Sequence, residues 1–321
     1  MAQKARIAVL ISGRGSNMAA LAYAAKAENC PFEIVLVASN DPGAPGLILA
    51  EAEGIETFSH PHKGLTREDH DQIMHDAVTR AGADYVVLAG YMRILSDRFV
   101  RQWQDRMLNI HPSLLPKYKG LDTYQRALDA GDSHAGCSVH LVTPELDDGP
   151  VLAQTKVAIL PGDTPEILAD RVLIAEHQLY SATLARYVTR EQDPDWILEQ
   201  VRMRALALAE TYERPSFGTP GWRVGSEKTG KYFAYFSHRH HGETGSALLV
   251  KTSGLDEQSA LLDADPELYF APKFYGKSGW IAIRLDTGQT DWDHIASWLK
   301  KSWHMTAPKR LTKMSDIADQ F

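Results

Sequence analysis

RIAVLISGRGSN, residues 6–17, carries a short β-branched apolar run straight into a turn with glycines at 13 and 15, and then into the helical period of NMAALAYAAKA. Strand, glycine turn and helix in that order begin an α/β unit. Gly13 and Gly15 let the backbone bend sharply, so that successive N–H groups and the positive end of a helix converge on one point. That suits a phosphate. The same letters also serve a plain strand-to-helix turn with a Ser or Asn cap. The stretch lacks the lysine of a P-loop and the third glycine of a dinucleotide fingerprint, so a nucleotide cofactor is not favoured.

Outward from this stretch the pattern repeats. FEIVLVAS (32–39), YVVLAG (85–90) and RMLNI (106–110) read as strands, and PGLILAEAEG (45–54) and DHDQIMHDAVTRAG (69–82) as helices. SVHLVT (138–143) and VLAQTKVAI (151–159) read as a strand pair flanking ELDDG. A long helix is expected from Pro165 to Thr189, with Thr164 as its cap. Runs that are apolar on both faces belong to parallel strands covered by helices on each side. Residues 1–190 are therefore expected to form a doubly wound α/β domain with a mostly parallel sheet, its ligands beyond the carboxyl ends of the strands.

The composition then shifts. DPDW (193–196) opens a helix, ERPSFGTPG (213–221) is rich in Pro and Gly, and KYFAYFS, SALLVKT and GWIAIRL follow as strands before a Trp-bearing helix, DHIASWLKKSWHM. Residues 191–321 are expected to form a separate α+β domain with an antiparallel sheet. Its SHRHHGE stretch (237–243) reads as a hairpin tip or a metal site, and the tip is favoured because no carboxylate or cysteine pairs with it at ligand spacing. Trp280, Trp292, Trp298 and Trp303 read mainly as packing.

Composition narrows the function classes. With 23% charged and 44% hydrophobic residues the chain is of ordinary globular type. No apolar stretch approaches a membrane span, and the start lacks a cleavage site, so a soluble cytoplasmic protein is expected, without membrane partners. Cys30 and Cys137, the two cysteines, are too few for a disulfide framework or a zinc site and are expected to be reduced and buried. Residues 211–321 carry 14 Lys and Arg against 13 Asp and Glu, within a chain of net charge −7. Residues 1–210 thus hold 20 Lys and Arg against 28 Asp and Glu, −8 against +1 for the rest, which disfavours nucleic acid as a partner of the first domain and leaves it open for the second. A homodimer is left open.

Three further motifs sit at strand ends. AGYMRIL (89–95) offers an apolar slot around Met92 and an anion partner in Arg93, or else an ordinary run of core residues. In NIHPSLLPKYKG (109–120), Asn109 and His111 share one side of an extended chain, an amide donor beside a group that titrates near neutrality. Pro112 and Pro116 stiffen the loop that follows. Taken alone, that pair reads as a hydrogen-bonded strand end. ELDDGP (145–150) supplies acids, and a carboxylate beside His111 would raise its pKa and orient the ring; Asp148 reads as part of a solvated turn. Together the motifs make an acid/base and oxyanion set with an anion cradle on one sheet.

VLISGRGSN, VLAGYMRILS, LNIHPSLLPKYKGLDT, GCSVHLVTPELDDGPVLAQ and AEHQLY, in this order and spacing, resemble the phosphoribosylglycinamide formyltransferase family over residues 6–188. The resemblance implies that Gly15, Ser16 and Asn17 bind the phosphate of glycinamide ribonucleotide and that Glu176 contacts the ribonucleotide. It implies that Arg67, Met92, Arg93, Ile94, Leu95, Asn109, Thr143 and Asp147 contact folate. Asn109, His111 and Asp147 would be catalytic, with protonated His111 helping Asn109 to hold the oxyanion while Asp147 and a water move the proton. The co-substrate would be 10-formyltetrahydrofolate, and no metal is implied. Arg14, Lys119 and Asp122 depart from what relatives carry. A formyltetrahydrofolate hydrolase is the alternative, disfavoured because SGRGSN is kept. Residues 196–312 resemble the MmcQ/YjbR family, of frataxin-like α+β fold, through ALALAETYERPSFGTPGWRV, GKYFAYF, LLVKTS and FAPKFYGKSGWIAIRL.

Overall fold

The computed structural model describes residues 4–239, 245–288 and 290–318, the side chains of 316–318 excepted. It divides into two compact units, Met1–Val188 and Thr189–Phe321.

In the first unit β1 (Ala5–Ile11), α1 (Ser16–Ala25), β2 (Phe32–Ser39), α2 (Pro45–Ala52), β3 (Thr57–Ser59), α3 (Arg67–Arg80), β4 (Tyr85–Leu88), α4 (Asp97–Gln102), β5 (Met107–His111), α5 (Thr123–Asp129), β6 (His134–Leu141), β7 (Val151–Ala158) and α6 (Pro165–Val188) follow one another. The seven strands form one sheet in the order β3-β2-β1-β4-β5-β6-β7. Neighbours from β3 through to β5 are parallel, whereas β6 runs antiparallel to both β5 and β7. The alternation inside β1 explains why helices cover both faces. Ile7, Val9 and Ile11 pack with Met18 and Leu21 of α1 and Leu168 and Val172 of α6. Ala8 and Leu10 point the other way, to Met74 and Val78 of α3 and Phe99 of α4. The mostly parallel, doubly wound architecture expected from the sequence is present.

Strand order reverses between β1 and β4, and there the loops after the two strands meet. The Ser12 N–H donates to the Gly90 carbonyl at 3.1 Å, and the Met92 N–H donates to Ser12 Oγ at 2.8 Å. Such a switch point is where an open α/β sheet leaves a crevice. β6 begins at His134, earlier than the SVHLVT reading, because HAG continues the ladder: Gly136 pairs with Lys156, and a Cβ there would lie 2.1 Å from the Thr155 carbonyl oxygen.

The second unit contains α7 (Pro194–Leu206), β8 (Thr211–Glu213), β9 (Gly221–Val224), β10 (Lys231–His238), β11 (Ser246–Lys251), α8 (Leu255–Ala264), β12 (Tyr269–Phe270), β13 (Trp280–Arg284), α9 (Trp292–Thr306) and α10 (Lys309–Ala318). Its six strands form an antiparallel sheet in the order β12-β13-β11-β10-β9-β8. One face packs Trp222, Phe233, Phe236 and Ile283 against Ile197 and Val201 of α7 and Trp298, Leu299 and Trp303 of α9. The α+β expectation holds. Of the proposed histidine cluster, residues 240–243 lie outside the described residues; His238 bonds Ser246 Oγ through Nδ1 at 2.9 Å. Among the described residues no group of His, Cys, Asp and Glu is arranged to hold a metal, and no helix is long and apolar enough to cross a membrane.

Candidate active site

The glycine turn after β1 is built as an open helix N-terminus. Gly15 stands in the left-handed region at φ +73°, where a Cβ would come 2.9 Å from Gly46 Cα, so only glycine fits. Gly46, at the start of α2, donates its N–H to the Gly13 carbonyl at 3.0 Å and locks the turn. No side chain caps α1, which leaves its first amides for a ligand. Asn17, in that first turn, donates from Nδ2 to Glu176 Oε2 at 2.7 Å across 159 residues of chain. Glu176 is 6% exposed; burial raises its carboxyl pKa, against the opposing hydrogen bonds of Asn17 and Tyr124. Asn17 Oδ1 is buried without a hydrogen-bond partner in the protein.

β5 and β6 assemble the second half of the site. Asn109 pairs with His140 across the antiparallel ladder, and Asn109 Nδ2 lies 3.1 Å from His140 Nε2. His140 Nδ1 donates to the Leu141 carbonyl at 2.8 Å, so Nε2 is the acceptor for one N–H of the Asn109 amide. The second N–H of that amide is left for a substrate oxygen. His111 Nε2 donates to the Tyr118 carbonyl at 2.9 Å, and its Nδ1 lies 3.3 Å from Asp147 Oδ2. Asp147 Oδ1 is 3.6 Å from His140 Nε2, so contacts run from Asn109 through His140 and Asp147 to His111.

Asp147 reaches these side chains because its loop folds back over the sheet. Gly149 permits the fold: a Cβ there would lie 1.8 Å from the Leu141 carbonyl oxygen. Asp147 itself takes φ +50°, and Gly120 donates its N–H to Oδ2 at 2.9 Å. Tyr118 and Asp122, in the facing loop, also stand at positive φ, and non-glycine residues held this way gather at functional sites. That loop is tied down by Ser138 and Gln154. Ser138 Oγ accepts from Leu115 N and donates to the Ser113 carbonyl, and Gln154 Nε2 donates to the Leu115 carbonyl.

The electrostatics differ from the sequence expectation at one residue. Asp147 does act on His111 in the expected upward direction, but burial has the larger effect and lowers the imidazole pKa, favouring the neutral ring at neutral pH. Burial alone would push the Asp147 carboxyl up; hydrogen bonding, the Gly120 N–H included, outweighs it and holds the carboxyl below its ordinary range. Asp148 is an exposed turn residue, paired with Lys119 at 2.5 Å. Asp122 precedes α5 without capping it through its side chain, and Arg14 is exposed on the glycine turn.

His70 and His177 share the downward shift, with burial as the first cause in each. The unfolded chain then takes up protons on these three rings before the folded chain does. Their contribution to stability is full above the ordinary imidazole value and is lost as pH falls below it. Thermal unfolding is expected at lower temperature as pH drops from about 7.5 to about 5.5, with a shallower slope in His70→Phe. A Tm independent of pH across that window would count against the buried neutral rings.

Of the other residues marked in the sequence, Met92 and Ile94 are exposed apolar side chains at the switch point, whereas Leu95 lies in the core with Tyr91. Arg93 turns a buried Nε inward. Thr143 Oγ1 donates to the Glu145 carbonyl at 3.3 Å and shapes the Asp147 loop. Arg67 stands exposed on the first turn of α3 and is not among the side chains tied to Asp147. His140, Tyr124 and Gln154 were not singled out from the sequence. His140 alone left a signal, as a histidine inside the apolar run of SVHLVT.

Residues 5–184, more than half of the chain, match the family model described as formyl transferase. The chain belongs to the formyl transferase family. Its relatives in that family include the phosphoribosylglycinamide formyltransferase of Escherichia coli strain K12, 44% identical over 180 residues, which cover 56% of this chain and 85% of that protein. A human trifunctional purine biosynthetic protein, adenosine-3, is 43% identical over 183 residues, 57% of this chain and 18% of its own length. This chain thus spans less than a fifth of the trifunctional relatives it matches. The crystal structure of phosphoribosylglycinamide formyltransferase from Brucella melitensis superimposes with a TM-score of 0.56 at 50% identity, covering 58% of this chain and 96% of that one. Residues 206–305 match the YjbR family model, so a formyl transferase unit and a YjbR unit share one polypeptide.

Proposed function

We propose that the protein transfers the formyl group of 10-formyltetrahydrofolate to the amine of glycinamide ribonucleotide in purine biosynthesis. One observation carries the reading: Asn109, His140, Asp147 and His111 are joined by a continuous run of contacts on the same sheet whose β1 leads into an uncapped helix N-terminus. β4 alone separates β1 from β5, so the two halves lie about two strand spacings, or roughly 10 Å, apart. A sugar phosphate bearing a short amino-terminated amide spans that distance, with its phosphate on Gly15, Ser16 and Asn17, its ribose towards Glu176 and its amine at Asp147. Met92, Ile94 and the Thr143–Asp147 loop offer the folate an exposed apolar edge, with Arg67 and Arg93 as its anion partners.

The chemistry follows from the groups in place. The amine nitrogen attacks the formyl carbon, and the carbonyl electrons move onto oxygen, where the free N–H of Asn109 meets the developing charge. The proton lost by the amine enters the Asp147–His111 pair. His111 arrives neutral and becomes cationic there, at the moment when a nearby oxyanion needs a positive partner. Collapse breaks the bond from carbon to the folate nitrogen, and that nitrogen takes the proton as it leaves.

The test is a cleavage assay on the full chain with 10-formyltetrahydrofolate, with and without glycinamide ribonucleotide. Release of tetrahydrofolate that requires the ribonucleotide, with formyl recovered on its amine, is the expected result. Release of free formate at the same rate without the ribonucleotide would replace this reading by folate hydrolysis.

A further inference from the structure

The second unit carries a cavity on the sheet face opposite α7 and α9. Its volume is about 420 Å³, within the range of small-molecule sites, and it opens between the 215–220 loop and the 271–276 loop. Its floor is aromatic. Tyr235 stacks on Tyr232 at 4.9 Å and on Tyr275 at 5.4 Å, and Trp280 tilts against both Tyr235 and Tyr275. Gly221 makes this floor possible, because a Cβ there would come within 2.7 Å of the Tyr235 ring.

The rim is as distinctive as the floor. Phe217 is 95% exposed at the tip of a turn closed by paired hydrogen bonds between Ser216 and Thr219. Its φ of +51° is unusual for a bulky aromatic residue. Phe274, 63% exposed, stands on the facing loop. Two largely exposed aromatic rings at the mouth of an aromatic cavity are placed to grip a flat ring. Among the described residues Lys273 is the one formally charged member of the lining, while Ser216, Thr219 and Tyr275 add hydroxyls. Three further cations of this sheet lie over rings: Arg223 over Tyr232, Lys251 over Trp280 and Arg284 over Phe270.

We infer that this cavity binds a small planar aromatic or heteroaromatic anion, its ring between Phe217, Phe274 and the tyrosine floor and its charge on Lys273. The volume of about 420 Å³ and the lysine on its rim fit a one- or two-ring monoanion. A nucleic-acid strand would call for a tracking groove with several cations.

Calorimetry on the full chain, using 2-naphthoate and its uncharged isostere 2-naphthamide as probes, tests the assignment. One equivalent of naphthoate is expected to bind about tenfold more tightly than the amide, as a desolvated charge-assisted contact would give. Lys273→Gln should bring naphthoate down to the level of the amide with Tm unchanged, because that side chain is exposed, and Phe274→Ala should weaken both probes. Equal affinity for the two probes, no effect of Lys273→Gln, or no binding at millimolar probe overturns the inference. Displacement of naphthoate by glycinamide ribonucleotide would place the probe in the first unit and overturn it too.

Discussion

Asp147→Asn is expected to lower kcat for formyl transfer by about 10²–10⁴-fold, the usual worth of a positioned acid/base group. Asparagine keeps the shape and can still accept the Gly120 N–H, so the loop should stay folded back and KM for the ribonucleotide should change little. What is lost is the charge. In the wild type the contacts of Asp147 keep it ionised well into the acid range, where it can receive the amine proton together with His111. Because its folded pKa is depressed, Asp147 also contributes stability that is present above its unfolded value and lost as pH falls through the folded one. The variant should therefore lose activity at neutral pH yet show a weaker fall of Tm in acid. Steady-state rates paired with Tm against pH check both halves. Near-normal kcat in the variant would remove Asp147 from the proton path and leave it a loop anchor.

Much of the first unit was legible because its physics is local. β1 alternates two apolar faces, the glycine turn announces α1, and Pro165 opens α6 where expected. Short elements were less legible. β3 has three residues and α4 six, too few to show a period. The site itself was legible only as separate motifs. Asn109 and His111 were visible as one face of a strand, but the run of contacts depends on the register of β5 against β6, which sets His140 opposite Asn109. It also depends on the return of the Asp147 loop, which rests on the clearance at Gly149. Neither is a property of a short window. The direction of the His111 shift was not legible for a related reason: the neighbouring acid is written in the sequence, whereas the burial that outweighs it comes from the whole fold. In the second unit the strands were read from alternation, but the cavity arises from two loops brought together across the sheet.

Asn109→Ala is the second large effect, an expected loss of about 10²–10³-fold in kcat from removing one oxyanion donor. Its interest lies in how it couples to His140. That ring contacts no substrate atom in the mechanism; by accepting one N–H of the Asn109 amide it sets which way the other N–H points. His140 is thus a positioning residue. Replacing it by Phe should lower kcat with a smaller change in KM, and replacing it by Gln, which restores an acceptor, should recover part of the loss. In the Asn109→Ala background His140→Phe should add little through this route, because there is no amide left to orient. His140 also faces Asp147 at 3.6 Å, so any residual cost in the double variant measures its second contact and should appear as a shift in the acid limb of the pH–rate profile. Full additivity of the two substitutions, with no recovery in His140→Gln, would show that the ring does not act through Asn109. The oxyanion role would then rest on the amide alone, held by strand β5 without its partner.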